Sequence, residues 1–118
     1  MQSPDIRVYL HDLKHSCELI HSFIEGCNFE TYISDPMRKS AVERQFILIG
    51  EALNQMLIHF PQEKEHYPYA PRIIAFRNRL THAYRTISDD IIWGIIKKSL
   101  PLFCKKVNQL CDQYEENR

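Results

Sequence analysis

The chain has 118 residues, 44% of them hydrophobic and 25% charged, with 15 basic and 15 acidic side chains. That is the make-up of one soluble globular domain over 1–118, and its neutral balance excludes a nucleic-acid binder working through global positive charge. No run of about 18 apolar residues is present to cross a bilayer, and Met1-Gln2-Ser3-Pro4-Asp5 lacks the basic start and apolar stretch of a secretory signal, so a cytoplasmic protein is expected.

Ser3-Pro4 reads as a helix start, serine capping the free amides and proline suiting the first helical position. From there Ile6, Leu10, Leu13, Cys17, Ile20 and Ile24 recur at alternating steps of four and three, one helical seam that Gly26 can stop. The opposite face carries Asp12, Lys14, His15, Glu18 and His21. His11 and His15 are four apart, a spacing that metal ligands use. Asp12, however, stands where a zincin has glutamate and no third ligand is suggested, so they read as solvated histidines.

Asn28 to Asp35 reads as a turn holding one short helical turn, with Phe29, Tyr32 and Ile33 in need of burial. Asp35-Pro36 repeats the cap-plus-proline start. Val42, Phe46, Ile49, Leu53, Met56 and Phe60 then mark a helix of about 24 residues, roughly 36 Å long, that Pro61 closes. The apolar run from Phe46 to Ile49 is wider than one stripe. It suggests burial on two sides, against the bundle and against a second subunit.

Gln62 to Pro71 is polar and proline-punctuated and reads as a loop. Pro71 opens a third helix through Ile73, Ile74, Phe76 and Leu80. Thr86 or Ser88 caps a fourth, with Asp89 and Asp90 at its positive end. Its seam is Ile92, Ile96, Leu100, Phe103, Val107, Leu110 and Tyr114, Pro101 should kink it, and Glu115 to Arg118 should fray. The sum is an all-α fold, an antiparallel four-helix bundle with a short extra helical turn and a proline-kinked last helix. The cysteines, Cys17, Cys27, Cys104 and Cys111, have no Cys-x-x-Cys spacing and read as reduced core thiols.

Bundle seams leave function open, and the informative stretch is Arg77-Asn78-Arg79-Leu80-Thr81-His82-Ala83-Tyr84. Arginine and histidine at a five-residue step occur by chance roughly 0.4 times in a chain of this composition; adding tyrosine two residues later lowers that to roughly 0.02. Between Glu65 and Asp89 there is no acidic residue, while Arg72, Arg77, Arg79 and Arg85, half of all the arginines, lie there. Such a segment suits phosphate, although a helix C-terminus also favours cations through its dipole. On a continuous helix Arg77 and His82 point about 140° apart. They converge on one phosphate if the helix ends near Thr81, or if two copies of the segment face each other across a two-fold axis.

Arg77-Asn78-x-Leu80-x-His82-x-Tyr84 resembles the Arg-x4-His-x-Tyr signature of the HepT-like branch of the HEPN superfamily, the toxin half of HepT/MntA toxin–antitoxin pairs. Ala41-Val42-Glu43-Arg44, Ile49-Gly50-Glu51-Ala52, Ile92-Trp93 and Leu100-Pro101 resemble that family's pattern in the same order, so the likeness covers most of the chain. The resemblance implies a helical, dimeric, metal-independent endoribonuclease acting on RNA without a cofactor. It implies that Arg77 and His82 form the catalytic pair and that Asn78 orients them. By the same likeness, Tyr84 receives AMP from an MntA-like nucleotidyltransferase antitoxin, which silences the toxin and can join it in a larger hetero-oligomer.

The residue types fit that chemistry. RNA carries its own nucleophile, the 2′-OH, so the enzyme needs a proton carrier and positive charge at the phosphate. Histidine, with an ordinary pKa near ~6.5, serves as base or acid. Arg77 can pair with phosphate oxygens, and Arg72, Arg79 and Arg85 can hold neighbouring phosphates. No carboxylate cluster surrounds the motif, which argues against a two-metal nuclease. Two other readings exist, a non-catalytic HEPN interaction module and a nucleotide-binding accessory of a nucleotidyltransferase; cleavage by wild type against His82→Ala, and direct ATP binding, separate them.

Overall fold

The computed structural model describes residues 5–82 and 87–116. The first helix, α1 (Ile6–Ile24), is capped by Asp5, whose carboxylate accepts from the Arg7 amide at 2.9 Å. The start therefore falls later than Ser3-Pro4, residues that lie outside the described ones. Asp5 also takes the Arg7 guanidinium, with Nε 3.1 Å away, a double load that a carboxylate carries and a hydroxyl does not. Gly26 ends the helical run in the left-handed region, φ 75°. The expected seam is the buried one: Ile6, Leu10, Leu13, Cys17 and Ile20 are buried and Ile24 is half-buried.

The short helix α2 (Phe29–Ile33) is capped by Asn28, which accepts from the Thr31 amide at 2.8 Å. Tyr32 is fully buried against Trp93, ring centroids 5.3 Å apart. Ile33 stays at the surface, contrary to expectation. A five-residue helix turns consecutive side chains about 100° apart, so seating Tyr32 inward points its neighbour out.

The long helix α3 (Pro36–His59) has the expected cap, Asp35 accepting from the Arg38 amide at 3.1 Å, with Pro36 at the first position and Pro61 just beyond its end. Val42, Phe46, Ile49, Leu53 and Met56 are buried, each such side chain worth about 1.5–3 kcal/mol relative to exposure. Ile47 and Leu48 on the flanks are half-buried. The stretch read as a loop is partly a 3-10 helix, Pro61–His66. Proline starts it, and it folds because it has something to bury: Glu63 and Tyr67 are both enclosed, Glu63 accepting from the Tyr114 hydroxyl at 3.5 Å.

Helix α4 (Ala70–Thr81) begins with Pro71 in its first turn, as expected. Beyond the undescribed residues 83–86, helix α5 (Asp89–Gly94), a π-helical turn (Ile95–Ser99) and helix α6 (Leu100–Glu116) follow without interruption. Ser88 occupies the cap position and its carbonyl accepts from Ile91 and Ile92, but its hydroxyl makes no cap bond; Thr86 lies outside the described residues. Asp89 at the helix start accepts from Lys39 Nζ at 3.0 Å, tying α5 to α3. The π turn is how the rod takes Pro101, whose ring has no N–H and crowds the carbonyl of Lys97 four residues back. Glu115 does not fray: it lies within α6 and pairs with His11 at 3.1 Å.

Helix α1 packs between α3 and α6, and α4 lies along the other flank of α3. All four cysteines are free thiols. Cys17 faces Cys104 across α1 and α6; that contact and burial push the Cys17 thiol well up. Among the described residues there is no strand, and no helix long and apolar enough to cross a membrane.

Candidate active site

The site is built on Gly50. In the middle of α3 this glycine is buried, and a Cβ added to it would lie 2.7 Å from Arg77 Cγ and closer still to Arg77 Cβ. Those atoms are the rigid root of the side chain, not its flexible tip, so only glycine lets α4 approach α3 here. Farther along, Phe76 stands edge-on to Phe46 with centroids 5.3 Å apart. Ahead of α4, Tyr67 and Tyr69 pack on Phe103 at 6.0 and 6.1 Å. The contacts at Arg77 and Phe76 seat the last two turns of α4, and with them the motif.

Arg77 is half-buried. Its Nη1 donates to Asn78 Oδ1 at 2.6 Å, and its Nη2 lies 3.7 Å from Glu51 Oε1. Its Nε is buried with no hydrogen-bond partner among the described residues. Asn78 is thus in direct contact with the guanidinium. Thr81 Oγ1 donates to the Asn78 carbonyl at 2.9 Å, satisfying one of the acceptors that a helix end leaves over. The helix stops there. His82 is its C-cap, with extended backbone (φ −93°, ψ 98°), and its side chain is exposed.

This is the condition under which Arg77 and His82 on one chain can serve one phosphate. The continuous-helix projection, which put them on different faces, ends at Thr81. Arg72 and Arg79 are exposed on α4. Tyr84 and Arg85 lie outside the described residues.

The motif has no acidic neighbour in sequence, but it has one in space: Glu51, from α3. Sequence reasoning missed both Gly50 and Glu51 as site residues, though the adjacent pair Gly50-Glu51 was there to be read as a place where another backbone comes close. Among the described residues no group of three or more histidine, cysteine or acidic side chains could hold a metal; His11 is engaged by Glu115.

Beside the site the apolar stripe of α4 is incompletely covered. Ile73, Ile74, Phe76 and Leu80 are all half-buried. An apolar cleft of about 390 Å³ opens between α3, α4 and α6, with Phe46, Ile73, Phe76, Leu102 and Phe103 in its walls and Arg72 at its edge. Leu102 is 72% exposed there.

Comparison with known proteins gives the family. Residues 13–110 match the family described as ribonuclease HepT-like. A candidate RNase of Caldanaerobacter subterraneus is 30% identical over 93% of this chain and 96% of its own length. A Thermococcus cleftensis protein named as probable ribonuclease HepT is 28% identical over 86% of this chain and 92% of its own. A candidate RNase of Methanocaldococcus jannaschii is 27% identical over 98% of this chain and 94% of its own. No solved structure gives a significant match. With a match across most of its length and an all-helical fold, the chain belongs to the HepT-like ribonuclease family and is, like that family, an RNA-cleaving enzyme.

Proposed function

We propose that this ribonuclease is the toxin half of a toxin–antitoxin pair and cuts RNA internally without a metal, Arg77 and His82 forming the catalytic pair. The observation that carries the reading is the end of α4 at Thr81. It leaves Arg77 anchored on the last turns while His82 stands on the chain leaving the helix. His82 takes the 2′-OH proton, the 2′ oxygen bonds to phosphorus, and the bond to the 5′ oxygen breaks as that oxygen takes a proton from the protonated His82 of a second copy. Arg77 stabilises the charge growing on the phosphate oxygens. Asn78 holds the guanidinium, and Arg72, Arg79 and Arg85 hold flanking phosphates.

Cleavage of mixed-sequence RNA in EDTA by wild type, with His82→Ala as control, tests this. The expected products end in a 2′,3′-cyclic phosphate and a 5′-OH; a 3′-OH and 5′-phosphate would overturn the mechanism.

The active form is a homodimer in this reading. One histidine per chain does not easily stand on both sides of the scissile bond, and the half-open apolar cleft beside Arg72 suits a second copy. Mixed dimers with one His82→Ala subunit should lose far more than half their activity.

A nucleotidyltransferase partner silences the enzyme by placing AMP on Tyr84, where an anionic phosphate repels RNA and occupies the arginines. Tyr84→Phe should cleave RNA and escape silencing, and a Tyr84→Phe enzyme that is still silenced refutes this part.

A further inference from the structure

One charged group beside Arg77 has no part in the reaction as derived. Glu51 Oε1 stands 3.7 Å from Arg77 Nη2, with the Glu51 side chain 47% and the Arg77 side chain 28% exposed. An ion pair that open to water adds little to stability. Its placement is nevertheless tightly set. Gly50, the residue before it, is where the α3 backbone meets the stem of Arg77.

Each terminal nitrogen of the guanidinium thus has one acceptor beside it, Asn78 Oδ1 on Nη1 and Glu51 Oε1 near Nη2. Each terminal nitrogen carries two N–H groups, so at least one on each is left for an incoming phosphate. The contact to Asn78 is a short hydrogen bond; the contact to Glu51 is looser and purely ionic, the easier of the two to give up.

We propose that Glu51 is a positioning residue for Arg77. It is a counter-ion on α3 that keeps the guanidinium pointed at the site in the free enzyme and yields it to the phosphate when RNA binds. The inference rests on the assignment of Arg77 to the scissile phosphate.

It carries a consequence that a merely structural glutamate would not have. Removing the charge strengthens RNA binding, because phosphate no longer competes with a carboxylate, and slows turnover, because the arginine is less well held. Affinity and rate move in opposite directions.

The experiment uses the full chain and two mixed-sequence single-stranded RNAs. The first is a cleavable oligoribonucleotide. The second is its 2′-O-methyl analogue, which binds but has no nucleophile. Glu51→Gln, half-exposed and nearly isosteric, should bind the analogue roughly 3- to 10-fold tighter and turn over the substrate about 10-fold slower. Glu51→Asp, which keeps the charge, should restore wild-type affinity.

In an Arg77→Ala background, Glu51→Gln should leave affinity unchanged, since the group it acts through is gone. An equal tightening in that background shows Glu51 acting as general surface charge and overturns the proposal, as does a Glu51→Gln enzyme with wild-type affinity and rate beside an inactive Arg77→Ala. Arg77→Ala protein cleaving at the wild-type rate removes the parent assignment, and this one with it.

Discussion

Helices α1 and α4 both pack on α3, both carry an apolar stripe, and they are sealed to different degrees. On α1 the stripe of Ile6, Leu10, Leu13, Cys17 and Ile20 is buried between α3 and α6. On α4 only Ala70 is buried, and Ile73, Ile74, Phe76 and Leu80 remain half-open. Helix α1 is held by removal of apolar surface from water. Helix α4 is held by a close backbone approach at Gly50 and the edge-on pair Phe46–Phe76. The candidate site sits on the less sealed helix, beside a flank whose apolar side chains are only half covered. If Arg77 and His82 do the chemistry as proposed, stability and chemistry reside in different parts of the bundle, and substitutions should separate them.

The largest separation is expected at His82. Removing a general acid–base group typically costs 10²–10⁴-fold in rate, about 3–5 kcal/mol in the barrier. Yet His82 is exposed at the helix end, so His82→Ala should unfold within about 0.5 kcal/mol of wild type. Single-turnover cleavage beside urea denaturation measures both. A His82→Ala chain that loses its fold along with its activity would remove the distinction between the two helices.

The converse expectation is at Leu13, fully buried on α1. Leu13→Ala leaves a cavity in the sealed core and should cost about 2–5 kcal/mol of stability, while whatever fraction stays folded cleaves RNA normally. Its counterpart on α4 is Phe76→Ala, expected to cost less, about 1–2 kcal/mol, because the ring is only half enclosed. Denaturation at several protein concentrations sharpens the point. If Phe76→Ala costs as much as Leu13→Ala, and the cost grows with concentration, the flank is closed in solution by a second copy.

The sequence carried the sealed half well. Seams at steps of four and three named most of the buried residues of α1, α3 and α6, because a helix with one solvated face writes its burial into periodicity. It carried the site only partly. The Arg77–His82–Tyr84 spacing is local and readable, whereas Glu51 and Gly50 reach Arg77 from another helix, and no local pattern encodes which turn of α3 meets which turn of α4. Position Ser3-Pro4 shows a related limit: several residues near a helix start can cap, and the one that wins, Asp5, does so by a second bond to Arg7. The 3-10 helix at Pro61–His66 escaped because polar composition usually marks a loop, and here Glu63 is buried despite it.

The smallest expected effect lies in that corner, on the sealed side. Tyr67 is 1% exposed, its ring packs on Phe103 and Tyr69, and its hydroxyl has no hydrogen-bond partner among the described residues. Burial, and then the charge of Glu63, push its pKa above the ordinary value. The unfolded chain releases this proton near pH ~10, while the folded chain keeps it to higher pH. The stability that Tyr67 supplies is thus fully present below about pH 10 and is lost as pH rises from there through the higher folded value. Tyr67→Phe keeps the ring contacts and deletes a hydroxyl that makes no bond, so at neutral pH it should change stability by no more than about 1 kcal/mol, in either direction. Above about pH 10 it should lose stability more slowly than wild type, which denaturation across an alkaline series measures. A loss well beyond that at neutral pH would mean that the hydroxyl is bonded in solution, and that the corner around Glu63 is a wetter place than the dry, closed packing of α1 against α3.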